Sequence, residues 1–193
     1  MQATDVDILI SAPQKGWSST PSAGVVIMNN RAVEVVESSN SNSFAIDLKK
    51  WYSIMKTYES GGHAYHTTMP TDSLCHFRDT MLETKEYGFD RLCQNQWELG
   101  NGVRKMLQRK GIKSVAAEGF QAPGVIVSYT NDAMIQSGAK FRDLGIQIAA
   151  GVPLMCDEPK DFSTFRIGLF GLDKLYNTEH SLEKLQKAFD DIF

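Results

Sequence analysis

Polar and apolar residues alternate over residues 4–10, with Val6, Ile8 and Ile10 on one side and Asp5 and Asp7 on the other. That period of two predicts a half-buried strand, and Pro13, which cannot donate to a ladder, predicts its end. Residues 11–24 are dense in Ser, Pro and Gly and read as a loop. Val25–Met28 is a second apolar run, expected to be a buried strand, followed by a turn at Asn29-Asn30 and one or two helical turns over Arg31–Val36. A polar loop spans 37–43, and Leu48, Trp51, Tyr52 and Met55 recur at helical spacing from Asp47 to Tyr58. Thr71 and Asp72, after Pro70, signal a helix start. Leu74, Phe77, Met81 and Leu82 then share one face. After a bend or break near Gly88 the face resumes at Phe89, Leu92, Cys93, Val103, Met106 and Leu107, ending at Lys110-Gly111.

Beyond Gly111 the rhythm changes. Lys113–Ala117, Gly124–Thr130, Leu144–Ala149 and Thr164–Phe170 read as strands, and Asn131 reads as the cap of a helix to about Asp143. Thr178 reads as the cap of a last helix whose Leu182, Leu185, Phe189 and Ile192 line one face. The expected organisation is α/β, with residues 1–87 separated from a small C-terminal α/β domain over 88–193.

Composition narrows the class. The chain has 193 residues, 42% of them hydrophobic and 22% charged, which suits a packed globular protein of one domain or two small ones. A net charge of −3 excludes a strongly basic nucleic-acid binder. No apolar run reaches the roughly 20 residues of a membrane helix, and the start carries Asp5 and Asp7 instead of a cationic signal region. Three scattered cysteines, Cys75, Cys93 and Cys156, point to reduced, buried thiols and a cytoplasmic setting.

The chemistry concentrates in the first loop, where Lys15 sits among small residues directly after a strand. Taken alone, a lysine there reads as a solvated surface residue. His63 and His66 have ligand-like spacing, but no carboxylate or Cys follows at the spacing of zinc sites, and no metal is expected. Taken alone, Tyr65 and Thr68 read as loop residues and Arg166 as a strand-surface ion-pair residue.

Residues 7–24, DILISAPQKGWSSTPSAG, resemble the cofactor-lysine segment of class V, fold-type I enzymes that use pyridoxal 5′-phosphate. AYHTTMPTDSL at 64–74 and STFRIGLFG at 163–171 continue the resemblance in order and in register, nearest to the serine–pyruvate and alanine–glyoxylate aminotransferase branch. The resemblance implies a remnant of a large, mostly parallel sheet domain followed by a small α/β domain. It implies that Lys15 bonds the cofactor as an imine and later moves the substrate's Cα proton. It also implies that Gln14 lies near the cofactor ring and that Tyr65 and Thr68 reach the phosphate across a homodimer interface. Arg166 would grip the substrate α-carboxylate through the guanidinium fork. Two departures are Pro13, where relatives carry a small polar residue, and Ala150 before Gly151, where relatives pair glycines; Ala150 is given no role.

Relatives supply the ring-nitrogen aspartate, the stacking aromatic and the phosphate donors upstream of the lysine. Only 14 residues precede Lys15 here, so the resemblance implies the C-terminal half of an enzyme about twice as long. Residues 1–70 are then expected to expose apolar surface while 88–193 keeps its own core. The implied activity is transfer of an amino group between a small amino acid and a 2-oxo acid. Two alternatives stay open: another class V chemistry, such as a lyase or cysteine desulfurase, and a chain that folds and dimerises without catalysis.

Overall fold

The computed structural model describes residues 4–193. They form two compact units: residues through Gln14 with Ser19–Arg78, and Lys15–Ser18 with Asp79–Phe193.

In the first unit, β1 (Ile8–Ser11) and β2 (Val25–Met28) pair antiparallel, with Ile8 opposite Met28 and Ser11 opposite Val25. β1 is shorter than its alternation predicts. Asp5 takes a left-handed φ of 50°, and Asp7 is turned to the helix that follows β2. The Asp7 carboxylate accepts from Arg31 Nε and Nη2 at 2.7 and 2.8 Å and from Asn29 Nδ2 at 2.8 Å. Asn29 also caps α1 (Asn30–Ser38), its side chain accepting from the Ala32 amide at 2.9 Å. α2 (Leu48–Glu59) begins at Asp47, which accepts from the Lys50 amide.

Little of this unit is buried. Among its described residues the buried apolar side chains are Pro13, Ala32 and Val36, while Ile10 is 76% exposed and Val35, Phe44 and Ile46 also face solvent. The apolar exposure expected of residues 1–70 is present over the described residues 4–70.

α3 (Thr71–Tyr87) and α4 (Phe89–Arg109) are separated at Gly88, whose φ of 103° no helix accommodates. The expected stripe on α3 is only half right. Leu74 and Phe77 are half-buried, but Met81 and Leu82 are exposed, and Thr80 and Thr84 take the buried positions. Thr84 can do so because its hydroxyl donates to the Thr80 carbonyl at 2.7 Å.

The second unit holds a three-stranded antiparallel sheet in the order β3 (Val125–Tyr129), β5 (Thr164–Gly168), β4 (Ala149–Ala150). Residues 113–117 contribute only an isolated bridge from Ser114 to Ser128. The predicted helix from Asn131 is two short ones, α5 (Ala133–Gln136) and α6 (Ala139–Asp143), broken at Gly138, φ 78°. The cap is Asp132, not Asn131: its carboxylate accepts from the Met134 and Ile135 amides and pairs with Lys140 at 2.7 Å. α7 (Leu172–Leu175), not foreseen from the sequence, precedes α8 (Thr178–Ile192), whose cap is Asn177 and not Thr178.

The core lies in this unit. Leu99, Val103 and Leu107 of α4 meet Ile126, Phe165, Ile167 and Leu169 of the sheet region and Phe189 of α8. Phe141, Phe165, Phe189 and Phe193 form a ring cluster with centroids 5.8–6.3 Å apart. The three cysteines are exposed, contrary to the buried thiols expected of them.

Candidate active site

Lys15 stands at the crown of a short closed loop. Pro13 is fully buried, the Ser19 amide donates to the Pro13 carbonyl, and the Ser18 amide donates to the Lys15 carbonyl, both at 3.0 Å. Gln14, Lys15 and Gly16 are exposed, and the Lys15 amine has no hydrogen bond or ion pair with any described residue. Ser18 holds a left-handed φ of 58°, rare for a residue with a Cβ. Its hydroxyl accepts from the Leu172 amide at 2.9 Å, which seats the Lys15–Ser18 turn on the second unit. Two buried hydroxyls, Ser19 Oγ and Ser22 Oγ, lack a partner among the described residues.

Arg166 lies on β5, the central strand, opposite Val127 of β3 and Ala149 of β4. It is half-buried, and its Nε donates to the Ala150 carbonyl at 2.8 Å. It forms no ion pair with any described residue, so both Nη groups keep their donors. The next residue, Gly151, donates to the Thr164 carbonyl at 3.0 Å. A Cβ at Gly151 would lie 2.0 Å from that oxygen and 2.1 Å from Thr164 Oγ1, so only glycine fits there. Ala150 and Gly151, given no role from sequence, together hold the arginine. A carbonyl contact leaves no trace in residue type, which is why the pattern missed it.

Tyr65 and Thr68 are both exposed, and their hydroxyl oxygens lie 3.2 Å apart in a shared hydrogen bond. They belong, with Gln14, to the first unit; Lys15 and Arg166 belong to the second. The histidines of this segment pack against aromatic rings. His66 sits 4.4 Å from the Phe44 ring and edge-on to Trp51, with Nε2 at 3.0 Å from the Phe44 carbonyl. His63 lies edge-on to Tyr58.

The cavities beside Gly111–Lys113, of about 790 and 690 Å³, are lined by residues such as Tyr129, Asp132, Arg104 and Gln108, and Lys15 and Arg166 do not border them. The candidate chemistry therefore lies exposed on each unit separately: in the second, an amine and a guanidinium with no acidic partner among the described residues; in the first, a pair of hydroxyls. An amine can condense with a carbonyl, a guanidinium can hold a carboxylate, and hydroxyls can donate to a phosphate.

The mixed α/β fold is the one found over about half the length of pyridoxal-phosphate aminotransferases, in agreement with the overall resemblance. In sequence the chain is 24% identical over 199 residues to the alanine–glyoxylate aminotransferase of Rattus norvegicus, covering 97% of this chain and 46% of that protein. The alanine–glyoxylate aminotransferase of Nostoc sp. superposes with a TM-score of 0.77 at 19% identity, covering 99% of this chain and 49% of that one. A subgroup IV aspartate aminotransferase from Thermus thermophilus gives 0.76 at 19% identity, covering 100% and 51%. The chain thus spans about half the length of the curated relatives it matches, consistent with their C-terminal half. No family model matches it. Among the described residues no helix is long and apolar enough to cross a membrane.

Proposed function

We propose that the protein is a pyridoxal-phosphate-dependent aminotransferase that moves an amino group between a small amino acid and a 2-oxo acid, alanine or serine with glyoxylate or pyruvate. The similarity to alanine–glyoxylate aminotransferases supports transamination as the reaction class. The observation that carries the reading is Arg166. A half-buried guanidinium with no carboxylate partner among the described residues, fixed through Nε by the Ala150 carbonyl, presents its Nη donors to an incoming carboxylate. The residues present fit the cofactor as well: Lys15 offers an unpartnered amine, and Tyr65 and Thr68 offer exposed hydroxyl donors.

When bound, pyridoxal phosphate supplies an electron sink for the charge that develops as an amino acid loses its Cα proton. In this reading Lys15 holds the cofactor through Nζ and, once freed, takes the Cα proton on that same nitrogen. Arg166 fixes the substrate by its α-carboxylate, which sets Cα within reach of Lys15. Gln14 would contact the cofactor ring, and Tyr65 and Thr68 would donate to its phosphate from the neighbouring protomer of a homodimer. A cytoplasmic location, and division of the chain at Gly88 into a cofactor-domain remnant and a small C-terminal domain, belong to the same proposal.

The test is an amino-donor profile. The protein loaded with pyridoxal phosphate is given alanine, serine or aspartate with glyoxylate or pyruvate, and both products are followed. Equal formation of the new amino acid and the new 2-oxo acid is expected. Loss of serine with release of ammonia, and no new amino acid, would overturn transamination in favour of a lyase.

A further inference from the structure

We infer that Ser18 is a positioning residue for Lys15, and that its hydroxyl holds the lysine turn in register with the strand that carries Arg166. The inference rests on the function proposed above. Three observations converge on Ser18. Its amide closes the turn by donating to the Lys15 carbonyl at 3.0 Å. Its backbone sits at φ 58°, a conformation that a residue with a Cβ keeps only where its surroundings enforce it. Its Oγ accepts the Leu172 amide at 2.9 Å across 154 residues of sequence.

The Leu172 end of that bond is anchored. Leu172 is 6% exposed and opens α7, whose cap position is Gly171, with no side chain to offer. The first free amide of α7 therefore takes its acceptor from the lysine turn. Three residues earlier Leu169 is buried, and its amide donates to the Gly124 carbonyl at 2.9 Å, which fixes the exit of β5. One short path, Arg166 to Leu169 to Leu172 to Ser18 Oγ, thus connects the arginine to the turn that bears Lys15. Among the described residues the Lys15 amine makes no hydrogen bond or ion pair, so its rigidity comes from the turn, which Ser18 ties to Leu172 within the second unit.

Three substitutions separate the possible reasons for a serine here. Ser18→Gly removes the hydroxyl and relieves the backbone; Ser18→Ala removes the hydroxyl and keeps the strained φ; Ser18→Asn restores an acceptor in a residue that tolerates φ > 0. Two readouts are taken on the protein. Hydrogen exchange is measured for peptides covering 13–19 and 170–176. Covalent capture at Lys15 is measured by adding pyridoxal phosphate, quenching with borohydride at timed intervals, and quantifying the modified Lys15 peptide. In capture the amine condenses with the aldehyde and releases water, and borohydride supplies the hydride that fixes the bond.

In Ser18→Gly and Ser18→Ala we expect both peptides to exchange faster and capture at Lys15 to slow roughly tenfold, the scale of a small misplacement of a reacting group. Ser18→Asn should recover most of both. Wild-type exchange in the Gly variant would overturn the tie itself. Faster exchange with an unchanged capture rate would overturn the positioning role and leave Ser18 a structural cap. Absence of capture at Lys15 in the unsubstituted protein would sink the proposed function and this inference with it, an outcome distinct from the other two.

Discussion

Replacing Gly151 by alanine tests how Arg166 is held. The added Cβ would lie 2.0 Å from the Thr164 carbonyl oxygen and 2.1 Å from its Oγ1, where real contacts begin near 3.0 Å, so the end of β4 must move by about 1 Å. Thr164 is 2% exposed and sits in the central strand, so the edge residue is the one that yields. The shift breaks the Gly151 amide bond to Thr164, worth about 0.5–1.5 kcal/mol. Residual crowding adds about 1–3 kcal/mol. The sum is about 1.5–4.5 kcal/mol, or roughly 3–18 °C in Tm for a chain of this size. The Ala150 carbonyl moves with the strand end and releases Arg166 Nε. The assay is a thermal melt alongside kinetics, with Gly168→Ala as control, because a Cβ there meets open space. Gly151→Ala should melt earlier and show a raised KM for the amino donor, while Gly168→Ala stays close to wild type. Equal melting temperatures and equal KM values for the two variants would refute the account of Arg166.

Arg166→Lys keeps the charge and loses the fork, so kcat/KM for amino acids should fall by about 2–4 kcal/mol in transition-state free energy; an unchanged kcat/KM refutes the carboxylate role. The first unit, with Pro13, Ala32 and Val36 as its buried apolar residues among those described, should exchange amide protons faster than the second; uniform protection along the chain would contradict this. Glu158 accepts the amides of Cys156, Met155 and Leu154, with the Cys156 bond the largest influence, and its carboxyl is held at about 2 against an ordinary 4.5. Because the folded value is the lower one, loop 154–158 should stay ordered above about pH 4.5 and loosen as pH falls toward 2. An NMR titration of the Glu158 carboxyl checks this, and a midpoint near 4.5 would show that the bonds do not persist in solution.

Much of the fold was legible because its periodic segments are long or sharply bounded. β2 falls on the apolar run Val25–Met28, although none of its residues is buried as that run predicts and Ile27 is exposed, and the α3–α4 break falls at Gly88. The misreadings come from short elements and from tertiary choices. Asn131 and Asp132 are both good caps, and Asp132 is used because Lys140 lies within 2.7 Å to pair with it. Residues 144–149 were read as a strand on apolar content, yet only Ala149–Ala150 pairs with β5. On α3, Thr84 is buried because its hydroxyl finds the Thr80 carbonyl, which no hydrophobic count anticipates. Lys15 and Arg166 stood out as residue types in resembling segments. Ser18, Ala150 and Gly151 did not, since each acts through backbone geometry or a long-range hydrogen bond.

The most direct measurement of the central claim is borohydride trapping of pyridoxal phosphate on the protein, with peptide mapping of the reduced adduct and Lys15→Ala in parallel. The account predicts a single reduced adduct on Lys15 and none in the variant. An adduct that persists in Lys15→Ala, or one carried by another lysine in the unsubstituted protein, would contradict it.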